Sequence, residues 1–232
     1  MLNFIGIGAQ KAGTTWLYKM LSEHPEVNFP GGKEVHFWDQ NYSLGVSWYK
    51  SIFSNEDSLN GDFTPAYGHL PIEKIYEVHS NFPDIKIIYV IRNPIDRAWS
   101  SAKMALSRSE LLMHEASDQW FIDHFKSSGS IARSSYEENI KRWMEVFPKE
   151  QFLLERYENI SENPQLLLKN ILNHLGLSPD YKFDFKLLNE RVFETGPYLL
   201  RPTLRELLRS MYSDKIISLG DYLDEDLSLW LK

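Results

Sequence analysis

Apolar residues in the first hundred positions form two kinds of segment. Leu2–Gly8 is a short apolar run, the pattern of a buried strand, and residues 14–23 then show helical spacing. Residues 85–91 are β-branched and nearly continuous, which is typical of a parallel strand covered on both faces. Pro94 suits the first turn of the helix predicted to follow. The pattern therefore predicts two units in which a strand leads through a short loop into a helix.

The remaining residues continue this alternation. Helical spacing predicts further helices over residues 71–81, 116–126, 135–147 and 164–175, and from residue 203 onward. A short strand is expected at residues 151–155, and residues 28–68 are predicted to be rich in loops. Strands alternating with helices favour an α/β fold with a central, mainly parallel sheet flanked by helices. The length of 232 residues predicts a single domain over residues 1–232.

Charge and residue usage narrow the classes of function. The formal net charge of −7 counts against non-specific binding to nucleic acid. The sequence has no cysteine, which excludes disulfides, thiolate metal sites and cysteine nucleophiles. No segment approaches the ~20 apolar residues of a membrane span, and the first residues lack the basic start of a signal peptide. We expect a soluble, cytoplasmic protein, although a protein trimmed of an anchor would show the same pattern.

The loop after the first strand has the spacing of a phosphate-binding loop. Gly8 and Gly13 match the GxxxxG part of a Walker A sequence, before a helix N-terminus whose amides and dipole attract anions. Thr14 stands where Walker A has its lysine, and Lys11 lies upstream inside the loop. The second strand ends at Arg92 and supplies no Walker B aspartate for Mg²⁺. These departures indicate a nucleotide loop that works without a γ-phosphate. The alternative is an ordinary glycine turn with a solvated lysine.

A second candidate phosphate site follows the second strand. Arg92 ends that strand at the edge of the sheet where α/β proteins bind ligands, and Ser100 lies about two turns into the next helix. A guanidinium and a hydroxyl can together bind a separate phosphate through charge-assisted hydrogen bonds. The alternative is that Arg92 pairs with a carboxylate and Ser100 is exposed. Arg97, Lys103 and Arg108 on the same helix are expected to lie on a solvated face.

Taken together, these segments resemble the sulfotransferases that use 3′-phosphoadenosine 5′-phosphosulfate (PAPS). QKAGTTWL (residues 10–17) is similar to the 5′-phosphosulfate loop of that family, and IRNPIDRAWS (residues 91–100) to its 3′-phosphate motif. KEVHFWD (residues 33–39) is similar to the segment that carries the catalytic glutamate in heparan-sulfate-type and related bacterial members. GDFTPAY (residues 61–67) and YENI (residues 157–160) resemble further segments of the same enzymes.

The resemblance implies a P-loop-like α/β fold and transfer of the sulfuryl group of PAPS to a hydroxyl, or less favourably an amine, without a metal. Lys11 would stabilise the leaving phosphate oxygen, and Arg92 and Ser100 would bind the 3′-phosphate. The other expected PAPS contacts lie in the loop, with Trp16 against adenine, and in a late segment over residues 196–201. These contacts are Ala12, Gly13, Thr14, Thr15, Trp16 and Arg201.

Sulfuryl transfer to a hydroxyl requires a group that takes the hydroxyl proton. Glu34 is the predicted base, because it occupies the glutamate position of the resembling segment. His36 is the alternative base, since cytosolic sulfotransferases use a histidine. In a strand, Glu34 and His36 would share one face and both would reach the acceptor. At Phe63, some heparan-type relatives carry a lysine that contacts the sulfate, and that contact is expected to be missing.

The acceptor is predicted only as a class. Heparan-type acceptors are polyanions that require basic clefts, whereas this protein is acidic and its basic residues are scattered. We expect a small or neutral acceptor such as a glycan, a glycolipid, a lipid or a metabolite. Six aromatic residues near the predicted base are candidates for its pocket: Phe37, Trp38, Tyr42, Trp48, Tyr49 and Tyr67. Two other classes stay open, a small-molecule kinase with a degenerate loop and a non-catalytic nucleotide-binding protein.

Overall fold

A computed structural model describes residues 1–54, 57–184, 188 and 198–232 of the protein. It contains two compact units, each made of two segments of the sequence. Unit 1 comprises Met1–Ile91 and Asn139–Val192, and unit 2 comprises Arg92–Glu138 and Phe193–Lys232. The expected single domain over residues 1–232 stays a prediction.

Unit 1 contains a sheet of five parallel strands in the order β2-β3-β1-β4-β5. The strands are β1 (Leu2–Gly8), β2 (Val27–Asn28), β3 (Leu59–Phe63), β4 (Lys86–Ile91) and β5 (Phe152–Arg156). The central strands β1 and β4 are almost entirely buried, as their apolar runs predict. The central parallel sheet of the predicted α/β fold is therefore confirmed.

Ten α-helices accompany the strands in the described part of the protein. In sequence order they are α1 (Thr14–Ser22), α2 (Val46–Ile52), α3 (Ile72–Asn81), α4 (Pro94–Arg108), α5 (Asp118–Lys126), α6 (Ser128–Ser134), α7 (Tyr136–Val146), α8 (Asn159–Glu162), α9 (Pro164–Leu175) and α10 (Pro202–Leu223). Short 3₁₀ segments lie at Tyr42–Leu44, Pro65–His69, Lys149–Gln151 and Ser228–Leu231. Among the described helices, none combines the length and the apolar character that crossing a bilayer requires.

Helix α9 shows how the sequence signals become packing in unit 1. The Asn163 side chain accepts a hydrogen bond from the Leu166 amide at its start, and Pro164 occupies the first turn. Gly176 ends the helix in the left-handed conformation that favours glycine. The buried face of α9 packs on β4 and β5 and consists of Leu167, Leu168, Ile171, Leu172 and Leu175. Burial of a leucine or isoleucine side chain contributes roughly 1.5–3 kcal/mol, so this face fixes α9 on the sheet.

Unit 2 is built from helices. Helix α4 packs against α5, α6 and α10. Asn93 caps α4 through its side chain, which accepts a hydrogen bond from the Ile95 amide at 3.0 Å. The Asn93 side-chain amide also donates to the Trp230 carbonyl at 3.0 Å, which fixes the last residues of the sequence within this unit.

The expected loop over residues 28–68 is wrong at β3. Leu59–Phe63 is an internal strand between β2 and β1, although its sequence LNGDF has none of the β-branched residues that strands prefer. Pairing with β1 over Asn60, Gly61 and Asp62 overrides the weak local preference. Helix α2 also lies inside the stretch predicted as loop.

Candidate active site

The loop between β1 and α1 presents the positive end of a helix. Gly13 is the residue that precedes α1, and its φ of 76° lies in the left-handed region. Lys11 also has a positive φ, at 72°. Among the described residues, none provides a side-chain cap for α1, and its first turn contains no acidic residue. The helix-start amides are therefore not occupied by a side-chain acceptor, and together with Lys11 they suit an anion.

Tyr157 and Ile160, in the YENI segment, pack against this loop. A Cβ built on Gly13 would lie 2.2 Å from Ile160 Cδ1 and 3.1 Å from Tyr157 Cδ2. Tyr157 in turn donates its amide hydrogen bond to the Ile91 carbonyl at 2.8 Å, which anchors the segment at the end of β4. Glycine is favoured at position 13 by its φ, and a larger residue there would also have to displace the Ile160 side chain. The sequence signalled the first of these constraints and gave no sign of the second.

The other residues predicted to contact PAPS from the loop differ in exposure. Ala12, Thr14 and Trp16 are buried, and Thr15 is half-buried. The indole Nε1 of Trp16 is buried and donates no hydrogen bond within the described residues. Their predicted contacts with PAPS stay predictions, and for the buried members the backbone amides are the groups available for them.

Glu34 and His36 lie side by side, as predicted for the base and its alternative. Glu34 Oε2 is 3.5 Å from His36 Nε2, and the second imidazole nitrogen, Nδ1, is 2.9 Å from Asp39 Oδ2. Lys33 forms an ion pair with the other Glu34 oxygen. Asp39 was not among the predicted functional residues, although it ends the same KEVHFWD segment. The geometry makes a row of carboxylate, imidazole and carboxylate that can orient the imidazole and share a proton.

The expectation that a strand brings Glu34 and His36 together is wrong. The segment is irregular, and both residues have left-handed backbone conformations, with φ of 66° and 54°. The Glu34 amide donates to the Phe63 carbonyl at 3.1 Å, so the segment runs beside the end of β3. A pair of left-handed residues is sterically unfavourable away from glycine and needs support from its surroundings.

Four of the six aromatic residues proposed for an acceptor pocket belong to the core instead. The buried members are Phe37, Trp38, Tyr49 and Tyr67. Tyr42 and Trp48 are exposed by 38% and 39%, and their rings lie 5.5 and 6.1 Å from the Phe37 ring. Of the six residues, Tyr42 and Trp48 present aromatic surface to solvent. They lie next to Phe37, which follows His36 in the sequence.

Unit 2 holds the second predicted phosphate motif. Arg92 directly follows β4, and Ser100 is half-buried on α4. Burial, together with the positive charge of Arg92, lowers the pKa of Lys103, while Asp96 acts in the opposite direction. The Lys103 ammonium also lies 5.7 Å from the centre of the Trp99 ring. Arg92 and Lys103 therefore concentrate positive charge near Ser100, which suits a phosphate.

The expectation that Arg97 lies on a solvated face is wrong. Arg97 is fully buried, and its Nε donates to Ser134 Oγ at 2.6 Å. Its Nη2 donates to the carbonyl and the hydroxyl of Ser130 at 3.1 and 2.9 Å. The guanidinium thus joins α4 to α6 and replaces the water that an exposed arginine would bind.

Arg201 lies at the start of α10, and Gly196, at the other end of the predicted late loop, lies outside the described residues. The Arg201 guanidinium forms an ion pair with Asp118 and hydrogen bonds to the Met113 and Ala116 carbonyls at 3.4 and 3.3 Å. Its predicted contact with PAPS stays a prediction.

Comparison with known proteins identifies the family. The model of the sulfotransferase domain matches residues 3–194. The chain belongs to the sulfotransferase-domain family. Human heparan sulfate glucosamine 3-O-sulfotransferase 6 is 29% identical over 176 residues, which cover 74% of this chain and 51% of the relative. Mouse heparan sulfate glucosamine 3-O-sulfotransferase 3A1 is 30% identical over 179 residues, covering 74% and 44%. This sulfotransferase-family chain spans about half the length of these curated relatives.

Solved structures match the whole length of the protein. A sulfotransferase from Alicyclobacillus acidocaldarius is 26% identical, with a TM-score of 0.79, and the match covers 100% of this chain and 99% of that one. Mouse SULT7A1 complexed with PAP is 16% identical, with a TM-score of 0.61, covering 96% and 88%. The resemblance to sulfotransferases and the predicted P-loop-like α/β fold are therefore confirmed.

Proposed function

We propose that this protein transfers the sulfuryl group of PAPS to a hydroxyl of a small or neutral acceptor, and that PAP is its second product. The observation that carries the proposal is the Gly8–Thr15 loop, in which Lys11 precedes an uncapped helix N-terminus. Family membership over residues 3–194 supports it, because the loop and the segment with Glu34 both lie inside the match.

The residues of the loop suit the 5′ end of the donor. PAPS, when bound, supplies an activated sulfate attached to a phosphate that becomes the leaving group. The amides that begin α1 would hold the anion, and the Lys11 ammonium would stabilise the charge that grows on the leaving phosphate oxygen. Arg92 and Ser100 are proposed to bind the 3′-phosphate, supported by the positive charge near them in unit 2.

Glu34 is proposed as the base that takes the acceptor proton. The bond from the acceptor oxygen to sulfur forms as the bond from sulfur to the leaving phosphate oxygen breaks, and the hydroxyl proton passes to the Glu34 carboxylate. The side chain of Glu34 is 41% exposed, so an acceptor can approach it. His36, held at 2.9 Å from Asp39, would orient the carboxylate through its Nε2.

A glycan is the acceptor class that we favour among the candidates. The named activity of the curated relatives is sulfation of a glucosamine in heparan sulfate. The net charge of −7 opposes a highly sulfated polyanion and favours a neutral or small glycan. Exposed Trp48 offers a ring on which a sugar can stack, whereas the Lys74 ammonium lies over the Tyr42 ring. The cytoplasmic location is likewise a proposal, which imaging of the tagged protein in its source cells tests.

Transfer is tested with labelled PAPS against a panel of neutral oligosaccharides, glycolipids, lipids and phenols, read by a mass increase of one sulfuryl group. We expect product with a glycan and no product with Glu34→Gln. Transfer of phosphate from ATP, abolished by EDTA, would replace this proposal with a kinase. Failure of every acceptor with normal PAP binding would indicate a non-catalytic nucleotide-binding protein.

Donor binding is tested separately by thermal unfolding. PAP should raise the melting temperature, whereas ATP with Mg²⁺ should change it little. AMP, which lacks the 3′-phosphate, is the matched control for Arg92 and Ser100. If AMP and PAP stabilise the protein equally, the role given to these two residues is wrong.

A further inference from the structure

Asp62, at the end of β3, carries a buried carboxyl group that three side-chain hydroxyls share. The residue is fully buried. Its Oδ2 accepts from the Tyr49 hydroxyl at 2.7 Å and from the Tyr67 hydroxyl at 2.9 Å, and its Oδ1 accepts from the Thr64 hydroxyl at 2.6 Å. Burial raises the pKa of Asp62, whereas these hydrogen bonds act in the opposite direction. Burial of a carboxyl group costs desolvation free energy, which its hydrogen-bond donors must offset. Its position therefore suggests a function beyond packing.

Two of the three hydroxyls also hold the segment that contains Glu34 and His36. The Thr64 hydroxyl accepts the His36 amide at 3.4 Å, and the Tyr67 hydroxyl accepts the Phe37 amide at 2.8 Å. The backbone of Val35 favours the ionised form of the Asp62 carboxyl and so acts against the raised pKa of Asp62.

The Glu34 amide donates a hydrogen bond to the Phe63 carbonyl. Three of the four amides of residues 34–37, those of Glu34, His36 and Phe37, are therefore bound by the end of β3 and the turn after it.

This arrangement explains how an unfavourable backbone is maintained. Glu34 and His36 both have positive φ, which non-glycine residues adopt only when their surroundings impose it. The amides of both residues are bound, that of Glu34 by the Phe63 carbonyl and that of His36 by the Thr64 hydroxyl. With the backbone held in this way, Glu34 Oε2 lies 3.5 Å from His36 Nε2. A rotation of either peptide would separate the two side chains.

We infer that Asp62 is a positioning residue for sulfuryl transfer, which acts through Thr64 and Tyr67 to hold residues 34–37 in the conformation that presents Glu34 and His36. The inference rests on the proposed function for its catalytic consequence. Asp62 is buried and contacts neither reacting group directly, so its effect is on orientation.

Tyr67 and Tyr49 supply a matched pair of test variants. Both are fully buried, and each donates one hydroxyl to the same oxygen of Asp62. Among the described contacts, the Tyr67 hydroxyl accepts an amide of residues 34–37 and the Tyr49 hydroxyl does not. Replacement by phenylalanine keeps the ring in each case, including the Tyr49 ring stacked on Phe37 at 4.4 Å.

Tyr67→Phe is expected to lower kcat at least ~10-fold with little change in the KM for PAPS, because small displacements of catalytic groups cost large factors in rate. Tyr49→Phe is expected to lower kcat by less than about 3-fold, because it removes one buried hydrogen bond and no contact with residues 34–37. Hydrogen exchange of the Phe37 amide should accelerate in Tyr67→Phe and stay near the wild-type rate in Tyr49→Phe.

A second pair covers the case in which Tyr67→Phe does not fold. Thr64→Ser keeps the hydroxyl between Asp62 and His36, and Thr64→Val removes it. Thr64→Ser should retain most of the wild-type kcat. Thr64→Val should lose most of the wild-type kcat and bind PAP as the wild type does. The inference would be overturned if the two variants of either pair had equal effects on kcat and on hydrogen exchange of the amides of residues 34–37.

The outcomes also separate this inference from the proposed function. If the wild-type protein transfers no sulfuryl group to any acceptor, the proposed function fails, yet the exchange measurements still decide whether Asp62 and its hydroxyls hold the segment. If the wild-type protein is active and the matched variants behave alike, the positioning role fails and the proposed function stands.

Discussion

Gly13→Ala tests the steric argument for the loop that precedes α1. Two costs are expected. An L-residue at the observed φ of 76° loses about 1–2 kcal/mol relative to glycine. The new methyl group would lie 2.2 Å from Ile160 Cδ1, and overpacking of this kind costs about 1–3 kcal/mol. The free energy of unfolding should therefore fall by about 2–5 kcal/mol, the sum of these two ranges.

Two further variants separate the two costs. Gly176 has the same φ of 76° and no atom within 4 Å of a built Cβ, so Gly176→Ala should lose only the conformational part, about 1–2 kcal/mol. Ile160→Val deletes Cδ1, the atom nearest to the new methyl group. Ile160→Val alone should cost about 0.5–1.5 kcal/mol. In the double variant Gly13→Ala/Ile160→Val, the steric part should largely disappear, which gives a favourable coupling of at least ~1 kcal/mol.

Urea unfolding of the four variants and the wild type, followed by tryptophan fluorescence and circular dichroism, measures these differences. Additivity of Gly13→Ala and Ile160→Val within about 0.5 kcal/mol would show that Ile160 does not limit the space at position 13. Equal losses in Gly13→Ala and Gly176→Ala would lead to the same conclusion by an independent route. Either result would refute the claim that the YENI segment shapes the loop.

Four other outcomes are expected. Lys11→Ala should lower kcat at least ~100-fold, since it removes charge stabilisation of the leaving group, and a steady-state assay checks it. Arg92→Ala should weaken PAP roughly 10- to 100-fold and leave AMP unchanged, as calorimetry can show. Glu34→Gln should lower kcat at least ~100-fold, and unchanged turnover would move the base role to His36. Burial and two neighbouring arginine charges lower the pKa of His124 from 6.5. As the pH falls below 6.5, His124 therefore binds more protons in the unfolded protein than in the folded protein, so the free energy of unfolding should decrease. In His124→Gln, urea unfolding should show a smaller decrease.

Strong local signals made much of the fold predictable. The strand Leu2–Gly8 has the predicted bounds, because its run is mostly apolar and the glycine turn ends it. Helix α9 begins at a proline and ends before a glycine, with Asn163 and Gly176 as the residues that flank it. In such segments the local preference and the tertiary position agree, so pattern alone is sufficient.

Strand β3 was not predicted, because its residue types suit contacts with neighbouring parts of the protein and have little preference for the strand conformation. A Cβ on Gly61 would lie 2.3 Å from the Phe4 ring, so glycine is present to admit a side group of β1. Asp62 is polar because its carboxyl group accepts from three hydroxyls, those of Thr64 and Tyr67 in the turn after β3 and that of Tyr49 in α2. Neither requirement is visible along the sequence, where the same residues are typical of a loop.

The candidate site also depends on residues whose supporting role is not visible in the sequence. The motifs assigned explicit chemistry to Lys11 and Glu34, whereas the segments with Thr64 and Ile160 were identified by resemblance alone and without a role. Gly13 depends on Ile160, about 150 positions further along the sequence, and His36 depends on Thr64. Backbone conformations that are unfavourable alone persist only where packing and hydrogen bonds from elsewhere impose them. Substitutions at such supporting positions should therefore alter turnover although the residues have no reactive group, and a motif search directed at reactive groups does not find them.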